Sequence, residues 1–208
     1  MAVAAIDALS AELAVGRRHD GPAPTRTVVA FGCWIVLLSD IVMFSALFAA
    51  YAVLSGNTAG GPTGPELFNL RNVFIETMCL LFSSYTCGLG ALSVEWRQPG
   101  RFLVFAALTF LLGAAFLYIE ISEFAGMVSK GAGPSRSAFL SSFFTLVGMH
   151  GAHVTLGLVW LIFMAAQVVA KGLRTAVRRR LLCFSLFWHA LDIVWIGVVT
   201  LVYLIGVQ

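Results

Sequence analysis

Residues 138–170 read AFLSSFFTLVGMHGAHVTLGLVWLIFMAAQVVA and contain no Asp, Glu, Lys or Arg. A helix rises about 1.5 Å per residue, and about 20 apolar residues cross the hydrocarbon core of a bilayer. This stretch is therefore long enough to span a membrane as a helix. Its only titratable side chains are those of His150 and His153.

Four further apolar stretches of comparable length accompany this one. The five predicted spans cover residues 28–54, 73–94, 102–124, 138–170 and 181–207. Residues 55–65 and 131–134 are rich in Gly and Pro, which is typical of turns outside the hydrocarbon. We therefore predict an all-α integral membrane protein, in which residues 28–208 form a bundle of five transmembrane helices. Residues 1–27 are predicted to be a mobile cytoplasmic tail.

The composition supports a lipid environment. Of the 208 residues, 60% are hydrophobic and 11% are charged, whereas ordinary soluble domains contain about 45 to 50% apolar and roughly 25% charged residues. A soluble domain is excluded on this ground, and a net charge of +3 is too small to indicate nucleic acid binding. The four cysteines form no C-x-x-C motif, so we interpret them as small apolar side chains.

The distribution of Lys and Arg predicts the orientation, since positive residues accumulate on the cytoplasmic side of a membrane. Ten basic residues fall on one side of the predicted spans: Arg17, Arg18, Arg26, Arg97, Arg101, Lys171, Arg174, Arg178, Arg179 and Arg180. Three fall on the other: Arg71, Lys130 and Arg136. The N-terminus is therefore predicted to be cytoplasmic and the C-terminus periplasmic.

Eight ionisable side chains lie within the predicted spans: Asp40, Glu76, Glu120, Glu123, His150, His153, His189 and Asp192. Each charge in hydrocarbon costs about 2.5 to 3.5 kcal/mol, so each needs a partner or a purpose. Counting from the span ends places Asp40, the pair His150 and His153, and the pair His189 and Asp192 between the midplane and the cytoplasmic side, where they can meet in one structural polar cluster. The three glutamates are predicted nearer the outer face, close to lipid headgroups or water.

Two local patterns refine this picture. Gly157 lies on the helix face of His150 and His153, so a neighbouring helix is expected to pack there. Asp192 lies between Trp188 and Trp195, and we expect its carboxylate to accept a hydrogen bond from an indole or from a histidine. Small residues at helical spacing, such as Ser84 with Gly88, are interpreted as packing contacts.

The residues alone leave three interpretations of the intramembrane histidines and acids: a hydrogen-bonded structural cluster, a metal or haem site, and a proton pathway. We predict the structural cluster, with no catalytic residue, no cofactor and no metal in this chain. The alternative functions are a small proton-coupled transporter and a haem-binding membrane cytochrome. Transporters often carry paired repeats and helices broken by Gly or Pro, and no proline lies inside a predicted span.

Five segments resemble the subunit III family of haem-copper oxidases, and most closely its cytochrome bo-type ubiquinol oxidase branch: Ser142–Val154, Phe187–Trp195, Trp34–Leu54, Phe68–Gly88 and Gly133–Leu140. The resemblance implies an accessory subunit of the bacterial inner membrane that binds phospholipid and packs against the catalytic subunit I. Haem, copper and ubiquinol are then expected in subunit I, where quinol oxidation is coupled to oxygen reduction and proton pumping.

One departure limits the transfer of residue roles. Many cytochrome c oxidase relatives have a carbodiimide-reactive glutamate where Arg71 stands here, and an asparagine where Glu76 stands. That reactive role is therefore not assigned to Glu76. Glu120 and Glu123 reproduce the family's glutamate pair, for which the resemblance implies a structural or lipid-facing role.

The predicted orientation is testable with a reporter enzyme that is active only in the periplasm. Fused after Gln208, it should be active, and fused within the loop after residue 171 it should be inactive, because the basic residues hold that loop in the cytoplasm. Activity in the loop fusion and none at the C-terminus would contradict the orientation.

Overall fold

A computed structural model describes residues 25–60 and 69–204. It contains α1 (Thr25–Leu54), α2 (Leu70–Glu95), α3 (Pro99–Ser129), α4 (Ala138–Lys171) and α5 (Thr175–Val198), the last continued by a π-helical segment, Val199–Leu204. The described residues include no β-strand. Each of the five helices is long and apolar enough to cross a membrane, which confirms the predicted all-α fold and the number of spans. The orientation stays a prediction.

The helices extend beyond the predicted spans at their polar ends. α3 continues to Ser129 rather than residue 124, and α5 begins at Thr175 rather than residue 181. Counting apolar residues finds only the part of a helix that lies in hydrocarbon, whereas the backbone stays helical through the arginines that follow Thr175. Residues 1–24 of the predicted tail and the predicted end of span five at residue 207 lie outside the described residues.

Local signals in the sequence set the helix ends. The Asn69 side chain accepts a hydrogen bond from the Arg71 backbone N–H at 3.2 Å, and the Ser137 hydroxyl caps α4 by accepting from Leu140 N–H at 3.2 Å. Such caps satisfy backbone donors that have no partner within the helix. α4 ends at Gly172, whose φ of 66° lies in the left-handed region that glycine adopts without strain.

Residues 36–204 belong to one compact unit, in which α2, α3, α4 and α5 form a closed ring. α2 packs against α3 and α5, and α4 packs against the same two helices from the opposite side. The interior of this unit contains fully buried large side chains from three of the helices: Phe116, Phe143, Leu146, Val147, Val154 and Trp195. Every polar group that points into this ring must find its partner there, because lipid offers none.

The Trp188 indole fits into the ring because two glycines make room for it. A Cβ atom at Gly157 would lie 2.8 Å from Trp188 Cζ3, and one at Gly113 would lie 3.2 Å from Trp188 Cη2 and 2.9 Å from a methyl group of Leu158. At these two glycines, the Trp188 ring of α5 therefore packs directly on the backbone of α3 and of α4. The prediction that a neighbouring helix packs on the Gly157 face is confirmed.

From residue 36 onward, α1 contacts the ring through one narrow stripe. Leu37, Phe44 and Tyr51 are its buried side chains and are spaced seven residues apart. The Tyr51 ring lies 6.2 Å from that of Phe139 on α4. Most of the other large side chains of this part of α1 are apolar and exposed, among them Val36, Leu38, Ile41, Val42 and Val53, as expected for a helix that meets lipid or another membrane subunit.

Replacing Gly157 with leucine should lower the apparent melting temperature of the protein in mild detergent. The new side chain collides with the Trp188 ring, and overpacking of this kind costs about 1 to 3 kcal/mol. Gly126→Leu is the matched control, since nothing lies within 4 Å of a Cβ at Gly126. Equal melting temperatures for the two variants would show that Trp188 is not held between α3 and α4 as described.

Candidate functional site

Hydroxyl groups of α2 accept hydrogen bonds from both buried indoles of α5. Trp188 Nε1–H donates to Ser83 Oγ at 2.9 Å, and Trp195 Nε1–H donates to Thr77 Oγ1 at 3.1 Å. Of the two donors expected for the Asp192 carboxylate, an indole or a histidine, the indole is therefore contradicted. The reason is the rotation of α5, which turns both indoles toward the hydroxyl-bearing face of α2.

A second polar contact joins α2 to α3. The hydroxyl groups of Thr86 and Thr109 lie 2.8 Å apart, and the Thr109 hydroxyl also lies 2.9 Å from the carbonyl oxygen of Phe105 in its own helix. α2 thus carries hydroxyls toward both of its neighbours in the ring. This set was not predicted above, although four Ser or Thr residues within the ten residues from Thr77 to Thr86 are a signal that could have revealed it.

His189 and Asp192 lie together at the seam between α2 and α5. His189 Nδ1 and the Ser84 hydroxyl are 2.6 Å apart, and the same hydroxyl lies within reach of the Asp192 carboxyl. Asp192 Oδ1 is buried without a hydrogen-bond partner. Both side chains are only half-buried, so the seam presents an imidazole and a carboxyl at the outer surface of the ring.

Asp40 and His153 face each other between α1 and α4. His153 Nδ1–H donates to the carbonyl oxygen of Met149 at 2.8 Å, because a carbonyl can only accept. The other ring nitrogen, Nε2, therefore faces Asp40, with Oδ1 at 3.7 Å. This is an ion-pair distance rather than a hydrogen bond, and both side chains are partly exposed.

His150 has no hydrogen-bond partner in the described part of the chain. Its side chain is fully buried, and both ring nitrogens lack such a partner. The imidazole stacks on the Trp195 indole with ring centres 5.1 Å apart and meets the edge of Phe116 at 5.8 Å. Aromatic side chains therefore form its main ring contacts.

The predicted cluster of Asp40, His150, His153, His189 and Asp192 is thus divided among three places. Positions three apart on a helix differ by about 60° in direction, which turns His150 toward the ring interior and leaves His153 facing α1. His189 points away from α4, toward α2. Among the described residues, no three His, Cys, Asp or Glu side chains are placed to hold a metal ion together.

The three glutamates lie close together where α2 and α3 meet. Only 1% of Glu76 and 4% of Glu120 is exposed, whereas Glu123 is half-buried. Of the structural and lipid-facing roles implied above for the glutamate pair, the burial of Glu120 favours the structural one, and the position of the three glutamates near the outer face stays a prediction. Glu76 is close enough to Glu120 and Glu123 to interact with both carboxyls. The Asn72 side chain lies within reach of Glu123.

The helix positions of these glutamates explain their burial. Val73 and Leu80, three residues before and four after Glu76, are buried on the same face of α2. Glu120 packs on the bare backbone of α4, where a Cβ at Gly151 would lie 2.8 Å from Glu120 Oε1. Gly151, next to His150 in the sequence, is the signal for this close approach.

The sequence profile of the cytochrome c oxidase subunit III family matches residues 11–207. A protein of Pseudomonas aeruginosa named cytochrome bo(3) ubiquinol oxidase subunit 3 is 51% identical over 192 residues, which are 92% of each chain. The quinol oxidase subunit 3 of Bacillus subtilis is 43% identical over 84% of this chain and 86% of its own.

The indole bonds of α5 are testable with Ser83→Ala, which leaves the Trp188 N–H buried without an acceptor. A stranded polar group of this kind costs about 1 to 3 kcal/mol, so the melting temperature in detergent should fall. Ser45→Ala is the control, because the exposed Ser45 hydroxyl bonds only to the Ile41 carbonyl of its own helix. Unchanged stability in Ser83→Ala would mean that the indole does not depend on this hydroxyl.

Proposed function

The chain belongs to the cytochrome c oxidase subunit III family, and from that premise we propose that it is a non-redox accessory subunit of a bacterial respiratory ubiquinol oxidase. The main support for the proposal is sequence similarity, over most of the chain, to subunits named for ubiquinol and quinol oxidases. The alignments cover 92% and 84% of this chain, so the likeness extends over most of the bundle rather than to one motif.

In this proposal, the redox reaction takes place in partner chains. Subunit I holds the haem, copper and ubiquinol, and couples quinol oxidation to oxygen reduction and proton pumping. The directions of the histidines support a structural role for this chain. His150 packs against aromatic rings, His153 contacts a backbone carbonyl and His189 contacts Ser84, whereas ligands of one haem or copper must converge on one point.

The role of this subunit is then to stabilise subunit I in the inner membrane and to bind phospholipid. The exposed apolar faces of the bundle, including most of α1 after residue 36, support both tasks, because such faces need lipid or a partner helix around them. When this chain binds the corresponding flank of subunit I, it stabilises the folded state of the assembled enzyme, because it binds that state and not the unfolded one. The N-terminus faces the cytoplasm in this arrangement.

The proposal is tested by removing this subunit from the assembled oxidase with detergent. The initial rate of quinol oxidation per haem should stay within a few-fold of the intact enzyme, since no catalytic group is lost. The half-life during turnover should shorten and the complex should melt at a lower temperature, because an apolar flank of subunit I is exposed. Enzyme carried through the same steps in a detergent that retains the subunit is the control.

Two measurements separate the outcomes. Lipid added back to the stripped enzyme should restore part of its lifetime without changing the initial rate. Immediate and complete loss of oxygen consumption with all haem retained would contradict the proposal, since it would show that this chain supplies a catalytic group. The buried Glu76 would then be the first residue to replace.

A further inference from the structure

The outer seam between α2 and α5 is unusual for a surface in hydrocarbon because it carries titratable groups near the middle of the membrane. His189 and Asp192 lie near the centre of the span Thr175–Leu204, and Ser84 lies well inside Leu70–Glu95. Ionisable residues at this depth are costly when they face lipid. The seam therefore calls for a neighbour that can form hydrogen bonds.

The hydrogen-bonding capacity of the seam is only partly used within the chain. The Ser84 hydroxyl contacts His189 Nδ1 and lies within reach of the Asp192 carboxyl, while His189 Nε2 lies 4.0 Å from the position of a Cβ at Gly88. Asp192 Oδ1 is buried and has no hydrogen-bond partner among the described residues. A half-buried carboxyl and a half-buried imidazole thus lie side by side, with one hydroxyl serving both.

The surroundings of these groups have the form of a helix-docking surface. Gly88 presents no side chain beside His189, and small residues of this kind let helices approach closely in membranes. Exposed apolar and aromatic side chains flank the opening on both helices: Leu81, Tyr85 and Leu92 on α2, and Leu186, Ile193 and Ile196 on α5. Tyr85 adds an exposed hydroxyl one turn from Gly88.

We propose that the seam defined by Ser84, Tyr85, Gly88, His189 and Asp192 docks a membrane-spanning helix of the catalytic subunit, one that carries a hydrogen-bond donor or a cation opposite Asp192. This inference rests on the proposed function, because it takes the catalytic subunit as the partner. Charge complementarity selects this occupant. An acyl chain offers no donor, and a second copy of this chain across a two-fold axis would place two Asp192 carboxyls near each other.

The first test is a bulky substitution at the opening. Gly88→Leu places a side chain where the partner helix is expected, so recovery of haem-bearing subunit with the tagged full-length chain in mild detergent should fall on the order of tenfold. Gly126→Leu makes the same exchange in open space on α3 and should give wild-type recovery. Equal insertion of both variants into the membrane shows that the chain itself folds.

The second test is photo-crosslinking within the intact complex. A benzophenone amino acid in place of Tyr85, which is 65% exposed, should capture the catalytic subunit; at Phe163 on α4, 63% exposed, it should not. Capture of lipid alone or of a second copy at position 85, or full recovery of haem with Gly88→Leu, would overturn the inference. If the wild-type chain recovers no haem-bearing partner, the proposed function itself fails.

Discussion

Polar groups inside a membrane must be satisfied by the protein, because lipid offers neither donors nor acceptors, and this constraint explains most of the bundle's internal order. The hydroxyls of α2 meet it for their neighbours: Ser83 and Thr77 accept from the two indoles of α5, and Thr86 contacts Thr109 of α3. α2 is thereby fixed in rotation relative to the helices on either side. This rotation also fixes the position of the Trp188 indole, and the glycines at positions 113 and 157 leave the space that the indole occupies there.

The buried polar groups that do not form such hydrogen bonds are equally informative. His150, Glu76 and Asp192 each have buried polar atoms without a hydrogen-bond partner in the described part of the chain. His150 compensates through aromatic stacking, and Glu76 lies among other carboxyls. Asp192 differs because its side chain is only half-buried at the outer surface of the ring, where we propose that a neighbouring subunit packs. An accessory subunit of an oxidase is a protein in which such a group is expected.

Hydropathy was enough to predict five spans, because the free-energy cost of exposing polar groups to lipid largely decides which segments cross the membrane. It could not predict how the helices rotate about their axes. That rotation decides that Trp188 meets Ser83 rather than Asp192, and that His150 and His153, three residues apart, face different neighbours. It also decides that Glu120 lies against Gly151 rather than toward lipid. These are properties of helix pairs, which a single sequence does not encode in any local pattern.

The central claim is that the polar side chains of this chain serve its own packing and its assembly, while the redox centres lie in a partner. The most direct measurement follows the haem when a complex purified through a tag on the N-terminus of this chain is separated into subunits. Haem absorbance and copper should be present in the purified complex and should remain entirely with the separated partner. Haem or copper that stays with this chain in stoichiometric amount would contradict the account.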